Sequence, residues 1–348
     1  MPCNRCARSP IRSALPQWQV SQIGGKAPLA QSGPGPNAAP NSYHVDESWH
    51  LQLPEGRKLG APIGVEIDHS DGKTLWLYDR CGGESCAGSP LAPVFKIDAS
   101  GNAVANFGAG TVNWPHGFYV DHDGNVWITD GKAGNGKGHT VIKFAPDGKV
   151  LMTLGKPGEA GNAPDMFNTP SDVITARNGD IFVADGHGVL EGHATNDRIV
   201  KLAKDGKFIK AWGAHGSEPG EFDVPHSLAL DSAGRLYVGD RSNSRVQVFD
   251  ADGTLVANWH QFGRPSSVFI DKNDTIYVSD SQSDAKTNPG FQRGIRIGSV
   301  SEGKVTAFIP LTDAAVGSAE ELAVDDQGNI YAGFTAAGKM AVRKFVKN

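Results

Sequence analysis

Sulfur is scarce in this chain, with four cysteines and four methionines in 348 residues. The cysteines fall in two close pairs, Cys3/Cys6 and Cys81/Cys86. A lone C-x-x-C in an irregular N-terminal stretch lacks the two further ligands a zinc knuckle requires. Cys81 and Cys86 bracket the glycine-rich CGGESC, which suits either a small disulfide or two free thiols. A disulfide there would favour an oxidising compartment. Aromatic residues are few, at 8%. There is no basic run, and the net charge of −5 argues against nucleic acid as a partner. No apolar stretch approaches the roughly 18 residues of a membrane helix, and residues 1–25 lack the apolar segment of a secretion signal. The stretch 26–42, rich in Pro, Ala, Gly and Ser, reads as a linker of the kind that follows a cleaved leader. We therefore expect a disordered arm over 1–42 and a periplasmic or secreted location.

What the chain has in abundance is repetition. A phrase of Pro, two residues, a short apolar strand and Asp recurs as PIGVEID (62–68), PHGFYVD (115–121), PSDVITA (170–176), PHSLALD (225–231), PSSVFID (265–271) and the looser AEELAVD (319–325). The starts, residues 62, 115, 170, 225, 265 and 319, are 53, 55, 55, 40 and 54 residues apart. Each unit carries about four alternating strand signals separated by D-G or N-G type turns. Four-stranded units repeated in this way predict an all-β, six-bladed β-propeller over 43–348. The last unit is one strand short. The segment 43–54 (YHVDESWHLQLP) has strand character and is expected to supply it and close the ring.

The slot after the proline holds Ile63, His116, Ser171, His226, Ser266 and Glu320. In a propeller these positions gather at one mouth of the channel. His116, His226 and Glu320 fall in alternate blades and form a triangle, a two-His-one-carboxylate set suited to a catalytic divalent ion such as zinc. One such histidine alone would be ordinary. Two in the same slot point to chemistry. Arg80 and Arg241 follow the second-strand Asp of blades one and four, and suit a carboxylate or oxyanion, or else loop carbonyls. His187 follows Asp185-Gly186 in blade three and is a candidate acid–base group. His139 and His193 lie on rim loops and are expected to be solvated. Asp79, Asp130, Asp185, Asp240 and Asp280 recur in five blades, so they read as loop organisers. The D-x-D-G turns at 121–124 and 250–253 lack the Glu spacing of a calcium loop and read as hairpin turns.

The units resemble the NHL repeat. The segments NWPHGFYVDHDGNVWITD, PSDVITARNGDIFVADG, NDRIVKLAKDGKFIKAWG and PGEFDVPHSLAL, followed by LYVGDRSNSRVQVF, are similar to the catalytic core of the peptidyl-α-hydroxyglycine α-amidating lyases, over roughly residues 60–335. The resemblance implies a channel zinc on three histidines, a deeper calcium, an arginine pair and a tyrosine near the substrate. Two zinc ligands carry over to His116 and His226, and the arginines to Arg80 and Arg241. The calcium carboxylate carries over to Glu321, with backbone carbonyls near Gly64 and Phe118. The third histidine is replaced by Glu320, and the tyrosine by His187. The resemblance thus implies a metal-dependent lyase acting on a carbinolamide C–N bond of a small or peptide-derived substrate. A metal-dependent lactone or ester hydrolase is the alternative, and a non-catalytic protein- or glycan-binding module is a third.

Overall fold

The computed structural model describes residues 35–69, 71–187, 195–311, 318–335 and 340–348. Cys3, Cys6 and His193 lie outside them, as does the stretch before residue 35. Among the described residues there are twenty-four strands in six four-stranded antiparallel sheets. No helix among these residues is long and apolar enough to cross a membrane. Five sheets are consecutive in sequence. The sixth takes Ala319–Val324, Ile330–Phe334 and Ala341–Lys347 from the end of the chain, and its outer strand, Tyr43–Val45, from the beginning. Tyr43 pairs with Lys347 and Val45 with Phe345, antiparallel, so the expected closure is observed.

The burial pattern explains why these segments form strands. In blades one to three the first two strands are buried on both faces, as in Pro115–Val120 and Val126–Asp130, and in the other blades they are buried at most positions. The outermost strand is mostly exposed, as in Val150–Leu154. Near-continuous apolar runs suit the inner positions, and alternation returns at the rim. Trp76, Trp127, Tyr237 and Phe249 are fully buried. They lie in clusters that span adjacent blades, so the core is a ring of inter-sheet layers.

One irregularity recurs at every first strand. The pairing register shifts between Pro62 and Gly64, Pro115 and Phe118, Pro170 and Asp172, Pro225 and Ser227, Pro265 and Ser267, and Ala319 and Glu321. The slot residue is the extra one in each case. A bulge re-aims its side chain out of the ordinary alternation, and in blades two, four and six this brings His116, His226 and Glu320 to one mouth.

The repeated Asp residues do organise the loops. Asp130 accepts from the amides of Asn113 (2.9 Å) and Trp114 (2.6 Å). Asp185 accepts from Asn168 N (2.7 Å), and Asp240 from Asp223 N (2.8 Å). Third-strand arginines neutralise three of them: Arg198 with Asp185, Arg245 with Asp240 and Arg296 with Asp280. Residues 35–42, placed by sequence in the arm, instead dock on blade five. Asn37 Nδ2 donates to Gly290 O (2.8 Å), and Arg296 donates to Asn37 Oδ1 (2.8 Å). The side-chain amide of Asn37 and the carbonyl of Pro36 complete the needs of a buried guanidinium, which composition does not reveal.

The Arg245–Asp240 pair is almost wholly buried, at 3% and 0% side-chain exposure. Asp240→Ala leaves the guanidinium buried and uncompensated, and is expected to destabilise the protein by about 3–5 kcal/mol. Urea denaturation checks this, and a loss below about 1 kcal/mol would contradict it.

Candidate metal centre and its surroundings

The bulges bring His116 and His226 together, and a loop after the second strand of blade three adds His187. One ligand atom from each lies within 4.8 Å of the others. The rings are 4.5 Å (His116–His187), 4.7 Å (His116–His226) and 5.2 Å (His187–His226) apart, centroid to centroid. Gly186 allows the approach of His187, because a Cβ there would lie 2.5 Å from Asp197 N.

Two of the rings have fixed tautomers. His116 Nδ1 is 2.7 Å from Ser171 O, and His226 Nδ1 is 2.6 Å from Ser266 O. A carbonyl only accepts, so both Nδ1 atoms donate and both Nε2 atoms keep a lone pair. That outer hydrogen bond is the usual support of a metal-binding imidazole. Burial, aided by Arg80, pushes His116 down to about 3. Burial also holds His187 and His226 well below the usual imidazole range, helped by His116 at the first and Arg241 at the second. All three are neutral at physiological pH, as ligation demands. His226 Nε2 and His187 Nδ1 are buried with no hydrogen-bond partner. The orphaned lone pair of His226 Nε2, with the freed Nε2 of His116 beside it, fits a divalent ion on nitrogen donors.

The imidazole cluster contains His116 and His226 of the sequence-based set, with His187 as its third member. His187, expected as an acid–base group, sits among the imidazoles. Glu320 stands at their edge, with Oε1 3.1 Å from Arg241 Nη1 and 3.3 Å from His226 Nε2, the latter out of line for a hydrogen bond. Its Oε2 accepts from Ser281 Oγ at 3.3 Å. Arg241 also donates to His187 Nε2 (3.2 Å), and its own Nε is buried without a partner. Arg80 lies across the mouth, stacked 4.3 Å over the Trp114 ring, and its Nε donates to Pro115 O (3.1 Å). Lys132 stacks on the same ring at 4.3 Å. Trp114 flanks both His116 (5.1 Å) and His187 (5.4 Å). Gly131 gives it room, since a Cβ there would meet the indole at 2.7 Å. Sequence reasoning missed Trp114 and Lys132. The available signal was their position on either side of the blade-two hairpin that carries His116.

His139 was expected to be solvated and is instead buried. Its Nδ1 accepts from Thr169 N at 3.1 Å, so it joins the loops of blades two and three.

Farther along the channel Glu321 meets Asp172 and Glu66, at the floor of a cavity of about 490 Å³ that also touches His69, Tyr119 and His122. Asp172 accepts from the amides of Leu228 (2.7 Å) and Val173 (2.8 Å), and Glu66 from Ile67 N (3.0 Å). Burial, with Asp172 nearby, raises Glu66 to about 8, and burial raises Asp172 to about 7. Glu321 is pushed well up by burial and by Asp172.

The comparisons agree with this architecture. The NHL repeat family model matches residues 222–249. NHL repeat-containing protein 3 of Homo sapiens is 35% identical over 225 residues, 63% of this chain and 60% of that protein. Peptidyl-alpha-hydroxyglycine alpha-amidating lyase 1 of Drosophila melanogaster is 35% identical over 247 residues, 63% of this chain and 43% of that protein. The matches thus span less than two thirds of these relatives. Among solved structures, a gluconolactonase from Xanthomonas campestris shares the fold, with a TM-score of 0.57 at 17% identity, covering 92% of this chain and 99% of that one.

Carboxyls whose folded pKa is raised hold protons that the unfolded chain releases, so stability is greatest below their unfolded values and falls as pH rises through the folded ones. For Glu66 and Asp172 that window runs from about pH 4 to pH 8. In chelator, the melting temperature is expected to fall between pH 5 and pH 8, and Glu321→Gln is expected to reduce the slope. A melting temperature that is flat across this range would contradict the assignment.

Proposed function

We propose that this NHL-repeat propeller, which resembles the amidating lyases, is a metal-dependent lyase that cleaves the carbinolamide C–N bond of an N-acyl-α-hydroxyglycine. The observation that carries the reading is the trio of neutral imidazoles, two with Nε2 freed by an Nδ1–carbonyl bond, beside two arginines at one mouth. His116, His187 and His226 would hold a divalent ion, zinc being well matched to three nitrogens. Such an ion would supply Lewis-acid polarisation of a substrate oxygen. Arg80 and the unpartnered Nε of Arg241 anchor the substrate carboxylate. Glu320, held by Arg241 and Ser281, takes the hydroxyl proton. The O–H electron pair becomes the aldehyde C=O, the C–N pair moves to nitrogen, and the proton is returned there. The products are a primary amide and glyoxylate.

A hydrolase acting on a lactone or ester would use the same groups, with Glu320 drawing the proton from water instead. A non-catalytic binding module would need neither the histidines nor the ion. Glu321, Asp172 and Glu66 offer an all-oxygen donor set for a hard cation such as calcium. The Cys81–Cys86 disulfide supports work in an oxidising compartment.

Two experiments test this. Elemental analysis is expected to find one equivalent of transition metal, lost in His116→Ala/His226→Ala and reduced in His187→Ala. Unchanged metal in His187→Ala would remove that residue from the site. The metal-loaded protein is expected to convert α-hydroxyhippurate to benzamide and glyoxylate, with Glu320→Gln retaining metal but losing about 10²-fold or more in kcat. Turnover of lactones or esters with uptake of ¹⁸O from water, and none of α-hydroxyhippurate, would favour the hydrolase.

A further inference from the structure

The arginine that faces the metal centre from blade one rests on a loop that the proposed chemistry does not use. Cys81 directly follows Arg80 and is joined by a disulfide to Cys86. Cys81 has a φ of 52°, in the left-handed region that a residue with a side chain seldom occupies. Both oxygens of the buried Asp79 serve this turn, accepting from Cys81 N (3.1 Å) and Gly82 N (3.3 Å). Gly83 N donates to Arg80 O (3.0 Å), Arg80 N to Ala61 O (3.1 Å) and Ala61 N to Gly83 O (2.9 Å). At the far end Cys86 N donates to Asn113 O (3.0 Å), one residue before Trp114. The crosslink therefore ties the loop after the second strand of blade one to the approach of blade two, where Trp114, Pro115 and His116 follow in sequence.

The Arg80 side chain has few restraints of its own. It stacks on Trp114, it makes one hydrogen bond through Nε, and Glu84 Oε2, within the same loop, stands 3.8 Å from Nη1. Its direction is thus set largely by the backbone at residues 80 and 81, where the disulfide is attached. We propose that the Cys81–Cys86 disulfide is the positioning element of the anion-binding Arg80, so that the grip of this mouth on an anionic substrate depends on that crosslink. The proposal rests on the reading of Arg80 as the substrate's carboxylate anchor. Reduction by a dithiol breaks the S–S bond. Two electrons and two protons pass to the cysteines, giving two thiols, and the dithiol closes to its own disulfide.

The test compares the wild type with Cys81→Ser/Cys86→Ser in two independent readouts. Phenylglyoxal modification of Arg80, followed by mass spectrometry and normalised to the exposed Arg177, reports the guanidinium directly and needs no substrate. Arg80 has 13% side-chain exposure, and its modification is expected to quicken several-fold in the variant. With α-hydroxyhippurate, KM is expected to rise roughly ten-fold, with kcat within about two-fold and metal content unchanged. In an Arg80→Met background, removal of the disulfide is expected to leave KM unaltered. Equal Arg80 labelling in a folded variant would overturn the proposal, as would a fall in melting temperature with no change in labelling. If Cys81→Ser/Cys86→Ser does not fold, labelling of the wild type before and after dithiothreitol gives the same comparison. Absence of wild-type turnover would count against the lyase reading alone, since the labelling result stands without it.

Discussion

The site depends on a single backbone event repeated around the ring, the bulge after each blade's first residue. It lifts one side chain per blade out of the strand alternation, and in three blades the residue so lifted, His116, His226 or Glu320, stands at the mouth. It also leaves a carbonyl, in the slot or one residue before it, for the neighbouring blade. His116 reaches the carbonyl of Ser171, His226 that of Ser266, and Ser171 Oγ that of Pro225. One set of contacts thus joins adjacent blades and orients the imidazoles. Structure and chemistry share the same atoms, so the tautomer of a candidate ligand is fixed by the packing of the ring.

The repeat made the architecture legible. Six phrases gave six blades, and the missing last strand pointed to the segment that carries Tyr43–Val45. The slot histidines and the two arginines were legible too, because they break a pattern that is otherwise kept. His187 was visible as an odd residue, but its role was not. Whether a loop residue joins two slot residues depends on how far the chain after Asp185 folds back over the axis, and Gly186 permits a path that its letter alone does not specify. Glu320 was placed at the correct mouth, yet its oxygens are engaged by Arg241 and Ser281. Those partners come from other blades and have no signature in the local sequence. The same reason hid the burial of His139, whose partner Thr169 lies 30 positions away.

Charge is distributed unevenly along the channel. Arginines and a lysine gather at the histidine mouth, where they help keep the imidazoles neutral. Carboxylates gather toward the other end, where burial and mutual repulsion favour their protonated forms. A chain with a net charge of −5 thus presents a locally cationic entrance. Such a local field can draw an anionic ligand to a protein whose overall charge would repel it.

The sixth blade is shared between the two ends of the described chain, with Tyr43 against Lys347. During synthesis, blades one to five can each form from contiguous sequence as they leave the ribosome. The sheet that closes the circle cannot form until its last strand has been made. Until then the nascent protein is an open arc whose first and fifth blades carry uncovered flanks. Its final step is a long-range pairing of the kind that is entropically slow.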